Sequence, residues 1–158
     1  MITIRPAAVS DSARLTEIAH AAKSHWNYPE EWIAEWESQL TIAPEYISRE
    51  RVYVAEVGET VVGVSAIEER GSHWSLEHVW VDPSAHGRGV GRALVEHALR
   101  VASEHRPLPV HVESDPFAVP FYEHLGARRI GEVKAPVSGD ADRVLPLLVF
   151  GGSSSEFG

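Results

Sequence analysis

Residues 76–94 constrain the fold more than any other stretch of the chain. A strand-like apolar run, Leu76-Glu77-His78-Val79-Trp80-Val81, leads into the turn formers Asp82-Pro83-Ser84, and glycines then fall at 87, 89 and 91. A helical pattern follows at once. Strand, glycine loop and helix in that order shape a backbone to hold phosphate. Glycine permits positive φ and leaves room beside the main chain. The first amides of the helix, with the positive end of its dipole, favour an anion. A Walker-type loop would need Gly-Lys-Ser or Gly-Lys-Thr at its end, and neither is present. A dinucleotide fingerprint needs Gly-x-Gly-x-x-Gly, but a frame starting at Gly89 puts Leu94 where the third glycine belongs.

Bulk properties narrow the partners. At 158 residues the chain suits one domain with a single core, expected over residues 1–150. Lys and Arg total 14 against 23 Asp and Glu, a net charge of −9. That balance argues against nucleic acid and anionic membranes as partners; it permits a cationic acceptor such as an amine and equally suits a surface that only keeps the protein soluble. No cysteine is present, which excludes disulfides, thiolate nucleophiles and cysteine metal sites. No apolar run approaches the roughly 20 residues of a membrane span. Met1-Ile2-Thr3-Ile4-Arg5 shows no signal-peptide pattern, so a cytoplasmic protein is expected. No histidine pair has convincing metal-ligand spacing: His73 and His78 are five apart on a strand-like stretch and would face opposite sides. No metal is therefore expected.

The remaining pattern predicts an α+β chain with a mixed sheet, in the order β-α-α-β-β-β-α-β-α-β-β. Residues 2–5 alternate as a strand. Leu15, Ile18, Ala19 and Ala22 share a helix face behind Ser10 or Asp11. A second helix is expected after Pro29, with Ile33, Trp36 and Leu40 on one side. Val52–Val57, a Gly58-Glu59 turn and Thr60–Glu68 read as a hairpin. The strand at 74–81 follows, then the helix after the glycines, which runs to about His105 before Pro107. Pro107–Glu113 is read as a strand. A helix carries Phe121, Tyr122 and Leu125 and stops at Gly126, with Pro120 in its first turn. Strands near Arg128–Val133 and Arg143–Phe150 close the chain, and residues 151–158 read as a disordered Gly/Ser tail.

Two motifs carry a family resemblance. Val81-Asp82-Pro83 followed by His86-Gly87-Arg88-Gly89-Val90-Gly91 resembles the acetyl-coenzyme A loop of the GNAT superfamily of N-acetyltransferases, Gln/Arg-x-x-Gly-x-Gly/Ala, with His86 in the Gln/Arg place. Downstream, Asp115, Ala118, Phe121, Tyr122 and Gly126 match the register of the family's Asn-x-x-Ala-x-x-Phe-Tyr-x-x-x-Gly-Phe, with Asp115 for Asn and Ala127 for Phe. The opening Ile2-Thr3-Ile4-Arg5-Pro6-Ala7 followed by Asp11 is also similar to the family's. The resemblance implies a GNAT-like fold of αβα layers, whose central mixed, mostly antiparallel sheet is splayed at the cofactor site. It implies acetyl transfer from acetyl-coenzyme A to a primary amine of a small molecule or peptide by direct attack. Homodimer formation is left open.

Residue roles follow from the same match. Gly87, Arg88, Gly89, Val90, Gly91 and Arg92 would hold the pyrophosphate, although Arg88 and Arg92 could equally be a solvated helix face. The backbones of Val79, Trp80 and Val81 would align the pantetheine arm and the thioester, and Asp115 belongs to the same cofactor set. Tyr122 stands where the family places a tyrosine near the thioester sulfur. Its phenol, with an unperturbed pKa of about 10, could protonate the leaving thiolate, or the ring could simply pack. Glu77 could take the amine's proton or face solvent. His78, His111 and Glu113 are further candidates, His111 also as an acceptor-site residue. Trp26 and Tyr28, in the segment that walls the acceptor site of the family, could hold an amine by cation–π contact, whereas Trp36 fits core packing. Two rival functions remain: a GNAT-fold module that binds acyl-coenzyme A without turnover, and a nucleotide-phosphate binder using the glycine loop alone.

Overall fold

The computed structural model describes residues 1–151. The tail expected at 151–158 lies, beyond Gly151, outside the described residues. The strands are β1 (Ile2–Pro6), β2 (Arg51–Val57), β3 (Thr60–Glu69), β4 (Trp74–Val81), β5 (Val110–Glu113), β6 (Arg128–Lys134) and β7 (Val144–Phe150). The helices are α1 (Ser12–Ser24), α2 (Glu30–Glu35), α3 (Glu37–Leu40), α4 (Pro44–Arg49), α5 (Val90–His105) and α6 (Val119–His124). The strands form one sheet in the order β1-β2-β3-β4-β5-β7-β6. β1–β2, β2–β3, β5–β7 and β6–β7 pair antiparallel, and β4–β5 pairs parallel. The β4–β5 ladder is two pairs long, Trp74 with Val110 and Ser75 with His111. Beyond it, Val112 and Glu113 are paired to Leu148 and Leu147 of β7.

Three expectations need correction. The helix after Pro29 is two helices, because Trp36 leaves the helical basin (φ −87°, ψ 2°) between α2 and α3. α4 was not foreseen, although Ala43-Pro44-Glu45 carries a start signal: Pro44 fits the first turn, where its missing amide costs nothing. The strand expected from Pro107 begins at Val110. Pro107 and Pro109 have no N–H to give a ladder, and the amide of Leu108 turns back to the Arg106 carbonyl at 2.8 Å.

The chain divides into two compact units. The first comprises Met1–Ile67 and His78–Ala98. Its α1 buries Leu15, Ile18, Ala19 and Ala22, the stripe read from the sequence. Arg5 pairs with Asp11 at 2.9 Å, and this bond chiefly holds the Asp11 carboxyl below its ordinary value. A bulge in the β2–β3 ladder matches Ala55 with Gly63 but Glu56 with Val61, leaving Val62 without a partner in the register. Both Val62 and Gly63 then meet α5. Val62 shares a buried cluster with Ala55, Ala85, Val90 and Leu94. At Gly63 there is no space for a side chain: a Cβ would lie 2.9 Å from Leu94 Cδ1, 3.0 Å from Val90 Cγ1 and 3.3 Å from the Trp80 carbonyl oxygen.

The second unit comprises Glu68–Glu77 and the chain from Leu99 onward. β7 lies between β5 and β6, and Leu148, Val149 and Phe150 are buried. Trp74 is fully buried, and its indole N–H donates to the Arg106 carbonyl at 3.0 Å. α6 begins at Val119, so Pro120 falls within its first turn, as expected.

The Gly63 contact gives a direct test of how α5 is seated. Gly63→Val is expected to lower the unfolding free energy by about 1–3 kcal/mol through overpacking. Urea denaturation should show a lower midpoint at unchanged slope, and an unchanged midpoint would contradict the packing described.

Candidate active site

The glycine loop is built from β4 outward. The amide of Asp82 donates to the Val62 carbonyl at 2.8 Å. The Asp82 carboxylate accepts from the Ser84 amide at 2.9 Å and the Ser84 hydroxyl at 2.7 Å, and it meets Arg14 at 3.2 Å. The two Ser84 bonds, helped by Arg14, hold that carboxyl below its ordinary value despite partial burial. Asp-Pro-Ser is the sequence signature of such an Asp-capped turn, with Pro at i+1, yet Asp82 was not singled out as a site residue. The Nε2–H of His86 donates to the Val81 carbonyl at 3.0 Å, and its ring meets His25 edge-on at 5.0 Å. His86 thus folds the loop back on the end of β4 and joins it to the segment after α1.

Two of the three glycines are required by conformation. Gly87 and Gly89 have φ of +78° and +79°, whereas Gly91 is already inside α5. A Cβ at 87 or 89 would meet nothing within 4 Å, so the loop surface above them is open. The first intrahelical bond runs from the Ala93 amide to the Gly89 carbonyl at 3.0 Å. The amides of Val90, Gly91 and Arg92 precede it and have no partner in the helix ladder. Amides so placed at the head of a 16-residue helix have the geometry that favours an anion. Arg88 is exposed beside it, and Arg92 reaches Glu96 one turn on at 3.0 Å, in keeping with a solvated helix face.

On β4 the candidate bases are held differently. His78 Nδ1 accepts the Trp80 indole N–H at 2.8 Å, so that nitrogen is committed, and Tyr46 packs edge-on to the imidazole at 5.7 Å. In the second unit, Glu77 Oε2 accepts from both the Ser75 hydroxyl and Arg70, the latter at 3.0 Å, and Arg70 also meets Glu68 at 2.9 Å. His111, opposite Ser75 in the β4–β5 register, stacks on His73 with ring centroids 3.9 Å apart. Partial burial, then the His73 charge, lowers the His111 pKa, so His111 is a neutral imidazole at pH 7. Glu113 lies exposed two residues further along β5. His73 falls just before β4, outside the strand on which its spacing from His78 was judged.

Tyr122 is 7% exposed on α6, with Phe121 and Phe150 edge-on at 5.1 and 6.2 Å. Burial, reinforced by the Asp115 charge, pushes its phenol well above the ordinary value, so the hydroxyl keeps its proton throughout the neutral range. Asp115 accepts from the Phe117 amide at 2.9 Å and so caps the turn leading into α6, work an asparagine side chain can also do. Trp26 is 36% exposed in the turn after α1, packed edge-on to His25 at 5.8 Å, and Tyr28 is half-buried against Trp32 and Trp36. Trp36 is buried, as expected. The contacts of Arg70, Ser75 and Lys23 were not anticipated, since their partners are set by the register and by the turn after α1 rather than by a local motif.

The first unit thus carries an open glycine loop at the head of α5, and the second carries a two-pair parallel ladder at β4–β5 and a buried phenol on α6. The acetyltransferase (GNAT) domain profile matches residues 25–136, and the chain belongs to that family of N-acetyltransferases. The chain is 38% identical over 74 residues to the peptidyl-lysine N-acetyltransferase YjaB of Escherichia coli, a match covering 46% of each protein. The solution structure of apo YjaB superposes with a TM-score of 0.69 at 27% identity, covering 97% of this chain and 99% of that one. The PaiA N-acetyltransferase of Thermoplasma acidophilum, in complex with coenzyme A, shares the fold with a TM-score of 0.73 at 17% identity, covering 95% and 98%. Among the described residues no helix is long and apolar enough to cross a membrane, and no group of three or more His, Asp or Glu is placed to hold a metal.

The Asp82 turn yields a pH-dependent prediction. Asp82→Ala removes the cap and should cost about 1 kcal/mol of stability at neutral pH. The folded carboxyl lies below 3.8, so its stabilisation is present above that value and is lost as pH falls through the lowered one. Thermal melts of the two proteins should therefore converge in acid. A gap that persists unchanged would show that the carboxylate charge is not what holds the turn.

Proposed function

We propose that the chain transfers an acetyl group from acetyl-coenzyme A to a primary amine of a small molecule or peptide. The carrying observation is the open cradle of Gly87, Gly89 and the first α5 amides, directly after β4. PaiA bound to coenzyme A supports the choice of donor, and YjaB, named a peptidyl-lysine N-acetyltransferase, supports an amine acceptor. The family profile covers parts of both units, which supports residues 1–150 working as one domain.

In this reading the amides of Val90, Gly91 and Arg92 bind the pyrophosphate, with Arg88 adding charge. The backbones of Val79 and Trp80 align the pantetheine arm. Val81 contributes less, since its carbonyl already accepts from His86. The amine attacks the thioester carbonyl directly; a new C–N bond forms, the C–S bond breaks, and no acyl-enzyme intervenes. Tyr122 gives its proton to the leaving sulfur. Its raised pKa keeps the hydroxyl protonated in the resting protein at working pH, and solvent returns the proton after transfer. Glu77 receives the amine's proton, oriented by Ser75 and Arg70. His111 is the second candidate, because its neutral imidazole can accept at pH 7.

Turnover of acetyl-coenzyme A against a panel of amines and lysine peptides tests the reading as a whole. Gly89→Val should abolish coenzyme A binding in calorimetry. Tyr122→Phe should keep that affinity and lower kcat by about 10²-fold, in the range of general-acid contributions. Tight binding without turnover of any amine would favour a non-catalytic acyl-coenzyme A sensor.

The base is tested separately. An amine with the pKa of lysine is almost wholly protonated at pH 7 and cannot attack. Glu77→Gln should depress the rate most at neutral pH and progressively less in alkali, where solvent deprotonates the amine. A ratio to wild type that stays flat with pH would transfer the role to His111.

A further inference from the structure

Arg14 ties three elements together at the entrance of the glycine loop. It stands in the first turn of α1, and each nitrogen of its guanidinium has a partner. Nε–H donates to the Val61 carbonyl of β3 at 3.0 Å, one terminal nitrogen reaches the Asp82 carboxylate at 3.2 Å, and the other meets Glu17 one turn along α1. The Arg14–Asp82 pair is partly withdrawn from water, with side chains 34% and 18% exposed. Lys23, the other fixed cation of α1, packs on the Tyr28 and Trp36 rings, 4.9 and 4.4 Å from their centroids. α5 is seated by apolar contacts among Val62, Ala85, Val90 and Leu94, and the Asp82 turn has its Ser84 and Val62 bonds besides. What Arg14 adds to this turn is a positive charge.

That charge matters because of what the loop is to hold. Asp82 is ionised at neutral pH, so a carboxylate stands at the head of the path to the amides of Val90, Gly91 and Arg92. Exposed like charges repel over about 10 Å at 0.1 M salt, and a pyrophosphate carries more than one. We propose that Arg14 is a positioning residue for coenzyme A: by pairing with Asp82 it holds the entry turn and cancels a carboxylate charge that would otherwise repel the pyrophosphate. Arg14 acts through Asp82 and not by touching phosphate, since all three of its nitrogens are engaged within the protein. The inference rests on coenzyme A as the donor; the pairing of Arg14 with Asp82 does not.

The test titrates coenzyme A calorimetrically into the full chain at low and at high sodium chloride, about 0.02 and 0.5 M, on either side of the range where screening sets in. Arg14→Met should weaken binding about tenfold at low salt, the scale of one uncompensated charge acting on a multiply charged anion through a water-like medium. The ratio to wild type should shrink at high salt. Asp82→Asn keeps an oxygen to accept from the Ser84 amide and removes the charge, so by itself it should bind no more weakly than wild type. Added to Arg14→Met, it should restore most of the lost affinity. Thermal melts establish that each variant is folded, and Arg14→Gln is read in the same way if Arg14→Met does not fold. In turnover the loss should lie in KM for acetyl-coenzyme A and leave kcat unchanged. Wild-type affinity in Arg14→Met at low salt would overturn the proposal. So would a loss that is equal at both salts and survives Asp82→Asn, because packing alone behaves that way. Wild type that binds no coenzyme A at either salt would discard the donor reading, and this inference with it.

Discussion

α5 can lie against β3 only because residue 63 has no side chain. A Cβ there would collide with Leu94 and Val90, the residues that seat the first turns of the helix. Next to Gly63, Val62 lies at the bulge of the β2–β3 ladder, and its carbonyl accepts the Asp82 amide. The same stretch of β3 thus meets both the first turns of α5 and the turn that leads into it. The glycines at 87 and 89 complete a path whose two ends are already anchored. Bulges that re-aim a strand beside a functional loop are a general device of sheets.

Chemistry is divided between charge and its exclusion. Tyr122 is kept neutral by burial, so its hydroxyl stays protonated throughout the neutral range. Glu77 is an ionic group placed by Ser75 and Arg70 at the edge of β4. His111 is neutral because it is partly buried and faces a second imidazole. His78, the remaining imidazole on β4, spends its Nδ1 on the Trp80 indole. Burial and neighbouring charge move Tyr122 up and His111 down from intrinsic values that already lie far apart.

Much of the fold was legible because it rests on short-range physics. The α1 stripe, the β2–β3 hairpin, the stop before Pro107 and the late start of α6 at Val119 follow from periodicity and backbone rules within a few residues. The misreadings have equally local causes. Trp36 satisfies a helical pattern in side-chain character, yet its backbone breaks the helix. α4 is six residues long, too short for periodicity to register. Pro107 and Pro109 remove the amides that the predicted start of β5 would have used.

The sequence by itself determined the glycine loop before α5, the tyrosine on α6 and the class of protein, because glycine spacing and a fixed motif register are properties of the chain alone. Tertiary structure decided the rest. Gly63 matters only where α5 crosses it, and the Oε2 of Glu77 is shared by Ser75 and Arg70 only once the 70–73 turn folds back along β4. Lys23 finds the Tyr28 and Trp36 rings only when the turn after α1 reverses direction. A contact between groups far apart in the chain, or joined by a turn, depends on a geometry that no local pattern encodes. The contacts of these side chains were settled by where the backbone carried them.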